Sequence, residues 1–524
     1  MLKPSFRKLS PIQYFCLGAS AIYCIIYFIS ACFWLFSPYP NEYREFANID
    51  ITRMFLEGKN PYDISNIPPF FYVYGFIMPL LTSWLYSLLD FLHMDLLIFQ
   101  RSVALFCTFL CGWIAAKEVK DRTGSGVYGL LAFSITLIAG WSMGLSVALP
   151  NTMGVFIMLL ILSKARKIKS VWGIWVIAFL TVTVFFIKQY FIIVLAPVFV
   201  WLLFRSKKSA ILYLFFSILC FAVAAVIVDH LYPAFFSIAI VHHLSMASHS
   251  LPHLAKQLAI TGLFYFPLFL LGLSIIFYRN KNIFIQAKKS IKLWKSWNAP
   301  LVQLQKMPDI YGIAVCINFI VILRLGMHVG AYMTYIYQLL VPVLAIYVLS
   351  YVDTLKKEKL KNIALIGVVV FSLYHIGLFI NIPGMMNDRE KSEWENFYKI
   401  LDKDRVNGLY IYSPLLAKYA WDNYLPVWDN GQTEYISTLR NDGVTDRIFP
   451  AANRIALRNN EQMVLFYQQV SSLQIPVIIT DNLSFLDISF LKKAGYCATD
   501  SIALKAGASA SYTVYRWIPC PDRK

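Results

Sequence analysis

Apolar runs of roughly 20 residues recur along this chain, and bursts of Lys and Arg fall between them. The runs cover 11–36, 70–92, 96–116, 125–147, 152–163, 171–187, 190–204, 209–228, 258–278, 310–323, 333–350 and 363–382. Basic bursts stand at Lys3 to Lys8, Lys117 to Arg122, Lys164 to Lys169, Arg205 to Lys208, Arg279 to Lys306 and Lys356 to Lys361. Only a helix that satisfies its own backbone carries so much apolar chain through lipid, and basic bursts beside it mark cytoplasmic loops. Charged residues are 15% of the sequence, against about 25% in soluble domains. The chain reads as an α-helical polytopic membrane protein with about 11–12 apolar spans. A disordered chain, a secreted disulfide scaffold and an ordinary soluble enzyme are excluded.

The formal charge of +18 invites comparison with nucleic-acid binders, but its distribution argues otherwise. Residues 384–524 hold 16 basic and 16 acidic side chains, whereas residues 1–383 hold 31 and 13. The excess therefore orients spans and forms no basic face for nucleic acid. With the N-terminus cytoplasmic, residues 1–383 form a transmembrane domain whose first outer loop is 37–69, and 384–524 form a soluble periplasmic α/β domain. Parity leaves one run too many before Lys117. The segment 70–92, with Gly75 and Pro79, is the one expected to be re-entrant or interfacial. In the soluble domain, strands are predicted at 407–413, 425–428, 475–480 and 511–517, with helices over 414–423 and 485–493. Cys497 and Cys520 lie in this domain, where an oxidising periplasm lets them pair or where they stay free thiols.

The first outer loop runs Pro40-Asn-Glu-Tyr-Arg-Glu-Phe-Ala-Asn-Ile-Asp50 and closes in Gly58-Lys-Asn-Pro-Tyr62. Apolar Phe46, Ile49, Met54 and Phe55 predict an amphipathic helix ending near Gly58. A carboxylate at the start of such a helix, just outside the membrane, can deprotonate an acceptor hydroxyl as general base. The candidates are Glu45 and Glu42, then Asp50. For Glu45 the structural alternative is an interfacial carboxylate beside Arg44 or Arg53. Lys188 is the sole charge between Val171 and Phe204, and a lysine at that depth is a functional candidate or a snorkelling hairpin tip. Arg324 and His328 sit in a similar outer turn. His230, His242, His243, His249 and His253 crowd one segment without a known ligand spacing, so no metal is expected.

These residues resemble the GT-C glycosyltransferases that use polyprenyl-phosphate sugars, the superfamily of protein O-mannosyltransferases and lipid A aminoarabinose transferases. The resemblance rests on Glu45 followed by Gly58-Lys-Asn-Pro-Tyr62 and the aromatic entry Pro68 to Tyr74. Further matches are Arg101-Ser-Val-Ala, Arg122-Thr-Gly124, Phe186-Ile-Lys-Gln-Tyr190, and Gly330-Ala-Tyr-Met-Thr-Tyr335 ahead of Leu339-Leu-Val-Pro342. It spans most of residues 1–350 in order. It departs from the family in having Glu45 for the usual Asp, and only Asn151 where a second acidic loop is usual.

The resemblance implies an inverting transferase in a bacterial inner membrane, acting on a cell-surface glycan or glycolipid acceptor. Glu45 or Glu42 would be the base, and Lys188, Arg324 and His328 would bind the donor phosphate. Asp50, Tyr62, Tyr72, Asn151, Gln189, Tyr332 and Tyr335 would line the cavity. No cofactor and no metal are implied, and the partners are membrane lipid, the lipid-linked donor and the acceptor. The alternatives are a transporter or flippase of lipid-linked glycans and an O-antigen polymerase or ligase. A transporter would show internal hydropathy symmetry and paired broken helices, and none is visible.

Overall fold

The computed structural model describes residues 10–37, 44–66, 72–140, 150–241, 250–256, 258–259, 268–276, 309–327, 336–352, 358, 361–363, 365–370, 388–425, 427–428, 450–482, 488–506 and 510–521. Among these, three helices are long and apolar enough to cross a membrane: α1 (Pro11–Leu35), α4 (Leu96–Thr123) and α9 (Lys207–Leu231). Between them lie α2 (Arg44–Leu56), α3 (Ile77–Leu88), α5 (Gly126–Gly140), α6 (Asn151–Arg166), α7 (Val171–Ile187) and α8 (Leu195–Arg205); α10 (Ile310–Leu325) and α11 (Val341–Tyr351) follow.

Local chemistry sets the helix ends. Ser10 and Gln13 form a reciprocal capping box with Pro11 as the first helical residue, and Asp95, Ser170, Ser206 and Asp309 cap α4, α7, α9 and α10. Gly124 ends α4 at a φ of 69°, a conformation that costs glycine little. The chain then reverses into α5, and Gly129 brings that helix against the Ala116 carbonyl. Outward positions of α1 and α9, such as Ile22, Phe33, Phe215 and Val226, are exposed and apolar, as a lipid-facing surface requires.

The 12 residues of α3 span about 18 Å, too short to cross a bilayer unaided. The lysine- and arginine-rich turns are less purely solvated than their sequence implies. Glu118 is 1% exposed and within 3.2 Å of Arg166 and 3.3 Å of Lys167. Arg122 reaches Asp309 at 2.8 Å and lies over the ring of Tyr311. These pairs join α4, α6 and α10 at one end of the bundle.

The C-terminal part contains α12 (Asp388–Arg405), α13 (Ala417–Asp422), α14 (Pro450–Ser471), α15 (Ile488–Ala494) and a four-stranded sheet. Its strands are β1 (Leu409–Tyr412), β2 (Val477–Asp481), β3 (Tyr496–Ala506) and β4 (Ala510–Pro519), in the spatial order β1-β2-β4-β3. β1 and β2 are parallel, and β4 runs antiparallel to both its neighbours. Of the strand expected at 425–428, the described residues form a single bridge, between Ile411 and Val427. β3 escaped the sequence reading: its alternation is broken by an irregularity between Ala498 and Asp500, and it is held by its hairpin partner.

Cys497 and Cys520 form a disulfide at the open end of that hairpin, with Cα atoms 5.1 Å apart. The bridge encloses 23 residues of sequence separation, so Cys497→Ser is expected to lower stability of this part by ~3 kcal/mol. Thermal unfolding with and without reductant checks this, and only the wild type should respond to reduction.

Candidate active site

α2 was expected to be amphipathic, but it is buried on three sides. Residues step ~100° around a helix, which puts Glu45, Asn48 and Thr52 on one face. Ala47, Ile51 and Met54 lie on a second face, and Ile49, Asp50 and Arg53 on a third. Gly58, at a φ of 67°, ends the helix close to where the sequence placed the stop, with Lys59 N–H donating to the Met54 carbonyl at 2.8 Å.

The first face meets α4. Arg101 donates to both Glu45 oxygens, Nε to Oε1 at 2.7 Å and Nη2 to Oε2 at 2.8 Å, with both side chains fully buried. Its Nη1 donates to the carbonyls of Trp34 at 3.1 Å and Ser37 at 2.5 Å, and its guanidinium lies over the Trp34 ring. Glu45 is therefore bound to Arg101, while Arg53, the other basic neighbour considered for it, pairs with Glu57. The sequence carried Arg101 only as part of a motif, and spacing alone gave no sign that it pairs with Glu45.

The second face packs against Tyr62, Tyr72, Phe76 and Phe235. Tyr62 Oη donates to the Tyr74 carbonyl at 3.0 Å, and Tyr72 Oη donates to Asn48 Oδ1 at 2.5 Å. The third face meets the C-terminal part. Ile49 lies in one apolar cluster with Trp394, Leu401 and Leu415, and Trp421 Nε1–H donates to Asp50 Oδ1. Burial raises the Asp50 carboxyl to about 7, against the lowering effects of the Trp421 hydrogen bond and Arg53.

Lys188 sits where α7 stops. Its backbone is extended, and a 3₁₀ turn over Gln189–Val194 leads into α8. The side chain is 8% exposed, so it does not snorkel to an open surface. Nζ donates to Asn151 Oδ1 at 2.6 Å and lies 3.9 Å from the Tyr74 ring centre and 5.3 Å from that of Tyr190. Gln189 Nε2 donates to the Val73 carbonyl at 3.0 Å, and Tyr190 Oη donates to Gln338 Oε1. Two glycines allow this close approach. A Cβ on Gly75 would stand 1.9 Å from the Phe186 carbonyl oxygen, and one on Gly154 would stand 2.2 Å from the Phe191 ring.

The expected residues thus fall into two neighbourhoods linked by Tyr72 and Tyr74, whose rings meet edge-on at 5.6 Å. Glu45, Asp50, Tyr62 and Tyr72 belong to the α2 neighbourhood. Lys188, Gln189 and Asn151 belong to the other. Arg324 is exposed on the last turn of α10, and its side chain makes no hydrogen bond or ion pair among the described residues. Glu42, His328, Tyr332 and Tyr335 lie outside the described residues, as do His242, His243 and His249. Among the described residues, no group of three or more His, Cys, Asp or Glu could hold a metal.

No known protein family matches the chain, and no curated protein matches it in sequence. Among solved structures, ArnT from Cupriavidus metallidurans bound to undecaprenyl phosphate matches over 96% of this chain and 98% of its own, at 12% identity and a TM-score of 0.52. The apo state of the same protein matches over 89% and 82% at 14% identity, with a TM-score of 0.40. ArnT is a lipid A aminoarabinose transferase with the GT-C fold. The fold of this chain is the GT-C fold. It is thus a polytopic, multi-pass membrane protein whose small sheet lies in the C-terminal region.

Two stability predictions follow from the site's construction. Arg101→Met leaves the Glu45 carboxylate buried without its cation and is expected to cost about 3–5 kcal/mol, whereas Arg101→Met combined with Glu45→Gln should recover much of that. Gly75→Ala should unfold the protein at lower temperature by forcing the 72–76 segment off the Phe186 backbone. Thermal melting in detergent measures both.

Proposed function

We propose that this protein transfers a sugar from a polyprenyl-phosphate donor to a hydroxyl of a cell-surface glycan or lipid, on the periplasmic side of a bacterial inner membrane. The observation that carries the reading is Lys188: a buried ammonium at a helix break, aimed by Asn151 and two tyrosine faces, in a chain with the GT-C fold. A buried cation is costly, and its place beside the first loop suits a phosphate. The ammonium would hold the donor phosphate and stabilise the charge that grows on it as the glycosidic C–O bond breaks. The acceptor oxygen would attack the anomeric carbon from the opposite side, which inverts its configuration, and would lose its proton to a first-loop carboxylate.

Of the first-loop carboxylates among the described residues, Asp50 suits the base role best. A general base works well when it titrates near the operating pH, and burial brings Asp50 to about 7. Glu45 has both oxygens taken by Arg101, which suits it to holding α2 in place. The C-terminal part, which contacts Asp50, would receive the acceptor. No resident cofactor and no metal enter the scheme, since the leaving group is already a phosphate that a basic side chain can neutralise.

The test is transfer by the purified protein from radiolabelled polyprenyl-phosphate sugars to extracted envelope glycans. Asp50→Asn should lower kcat by about 10²–10⁴ and Lys188→Met by about 10²–10³, each with wild-type folding. Because the carboxylate form is the active one, wild-type kcat/KM should climb as pH rises through about 7. Undiminished transfer by Asp50→Asn, with loss in a folded Glu45→Gln, would move the base to Glu45. Absence of transfer from every donor by the wild type would refute the enzyme.

A further inference from the structure

We infer that Trp421 is a positioning residue for Asp50, so that the first loop becomes competent only when the C-terminal part is docked on it; this rests on the reading of Asp50 as base. Trp421 stands on α13, a six-residue helix far from α2 in sequence, and its indole N–H donates to Asp50 Oδ1. The ring is itself fixed, with the Arg53 guanidinium 5.9 Å over it. Beside this contact, Lys418 of α13 pairs with Asp95, the cap of α4, at 3.0 Å, and Ile49 and Leu97 share an apolar cluster with Leu415, Leu416 and Tyr419. The seam therefore has an apolar centre, an ion pair at its margin and one hydrogen bond to a carboxylate.

That hydrogen bond has two effects. It fixes the rotation of the carboxyl group, and by taking Oδ1 it leaves Oδ2 to an incoming hydroxyl, whose proton would pass to Oδ2 as the acceptor oxygen bonds to the anomeric carbon. It also favours the charged form, opposing burial. The charges of the seam are Arg53 of α2, Glu57 just after it, Asp95 at the start of α4, and Lys418 and Asp422 of α13; Arg53 assists the carboxylate and Glu57 opposes it. Undocking would remove the indole donor and the burial together, returning Asp50 to the range of an ordinary carboxylate, a weaker base with no fixed orientation.

The experiment uses the full chain in nanodiscs. Trp421→Phe keeps an aromatic ring for Arg53 and removes the N–H donor, with a smaller ring in place of the indole. Infrared spectra across pH give the titration midpoint of Asp50, as the protonated-carboxyl band that Asp50→Asn abolishes. In Trp421→Phe this midpoint should rise by about one pH unit, because a hydrogen bond favouring the anion has been lost. The acid limb of kcat/KM should move up by the same amount, with the rate recovering to within a few-fold at high pH. Lys418→Ala loosens the margin without touching Asp50 and should leave the midpoint in place. An unmoved midpoint in Trp421→Phe, or an equal shift in Lys418→Ala, overturns the inference. A midpoint that moves while the kinetic limb stays put supports the Trp421 contact and refutes Asp50 as the base.

Discussion

The architecture around α2 depends on one buried ion pair. Arg101 leaves α4 in its second turn, and its guanidinium takes the two Glu45 oxygens, the Trp34 and Ser37 carbonyls at the end of α1 and the face of Trp34. A charge pair without water adds little net stability, because desolvation offsets the Coulomb attraction, but it tolerates almost no change of geometry. Its contribution is positional. It fixes the direction in which the chain leaves α1, the start of α2 and the rotation of α2 about its own axis, so the positions of Asn48 and Asp50 follow from it. Tyr72 then reads that rotation through Asn48, and the Tyr72–Tyr74 edge contact carries it to the ring beneath Lys188.

Much of the membrane part was legible in the sequence because its signals are local. Apolar length, basic bursts and Gly58 as a helix stop each depend on a few consecutive residues, and α1, α4 and the end of α2 stand close to where those signals place them. Lys188 stood out because a lone charge in an apolar run needs no partner to be noticed. Partners were not legible. Glu45 with Arg101, Lys188 with Asn151 and Tyr74, and Asp50 with Trp421 join residues 56, 37, 114 and 371 positions apart, and no periodicity encodes such pairings. The same limit explains why Arg122 reads as one of a burst of loop charges although the fold buries it with Glu118 in a network spanning three helices.

The error over α2 has a physical cause. Its sequence mixes Glu45, Asn48, Asp50 and Thr52 with Ile49, Ile51 and Met54, and such a mixture reads as one wet face and one greasy face. A helix with an aqueous side would leave its polar residues exposed, yet all of these are buried. The polar groups are instead satisfied one by one: Glu45 by Arg101, Asn48 by Tyr72, Thr52 by the Asn48 carbonyl and Asp50 by Trp421.

That burial also bears on the boundary near residue 384, where composition changes from apolar and basic to neutral. Lipid cannot cover the third face of α2, because Asp50 and Arg53 would meet hydrocarbon, and water would leave Ile49 uncovered. A third medium is needed, one that offers both an apolar surface and a hydrogen-bond donor at fixed positions, and a folded domain provides it. Ile49 and Leu97 accordingly pack in one cluster with residues of β1, β2 and α13, and Ala451, Ala452 and Ile455 of α14 pack with Tyr62 and Phe235. The apolar clusters therefore run across the composition boundary, through the loop that carries the candidate carboxylates.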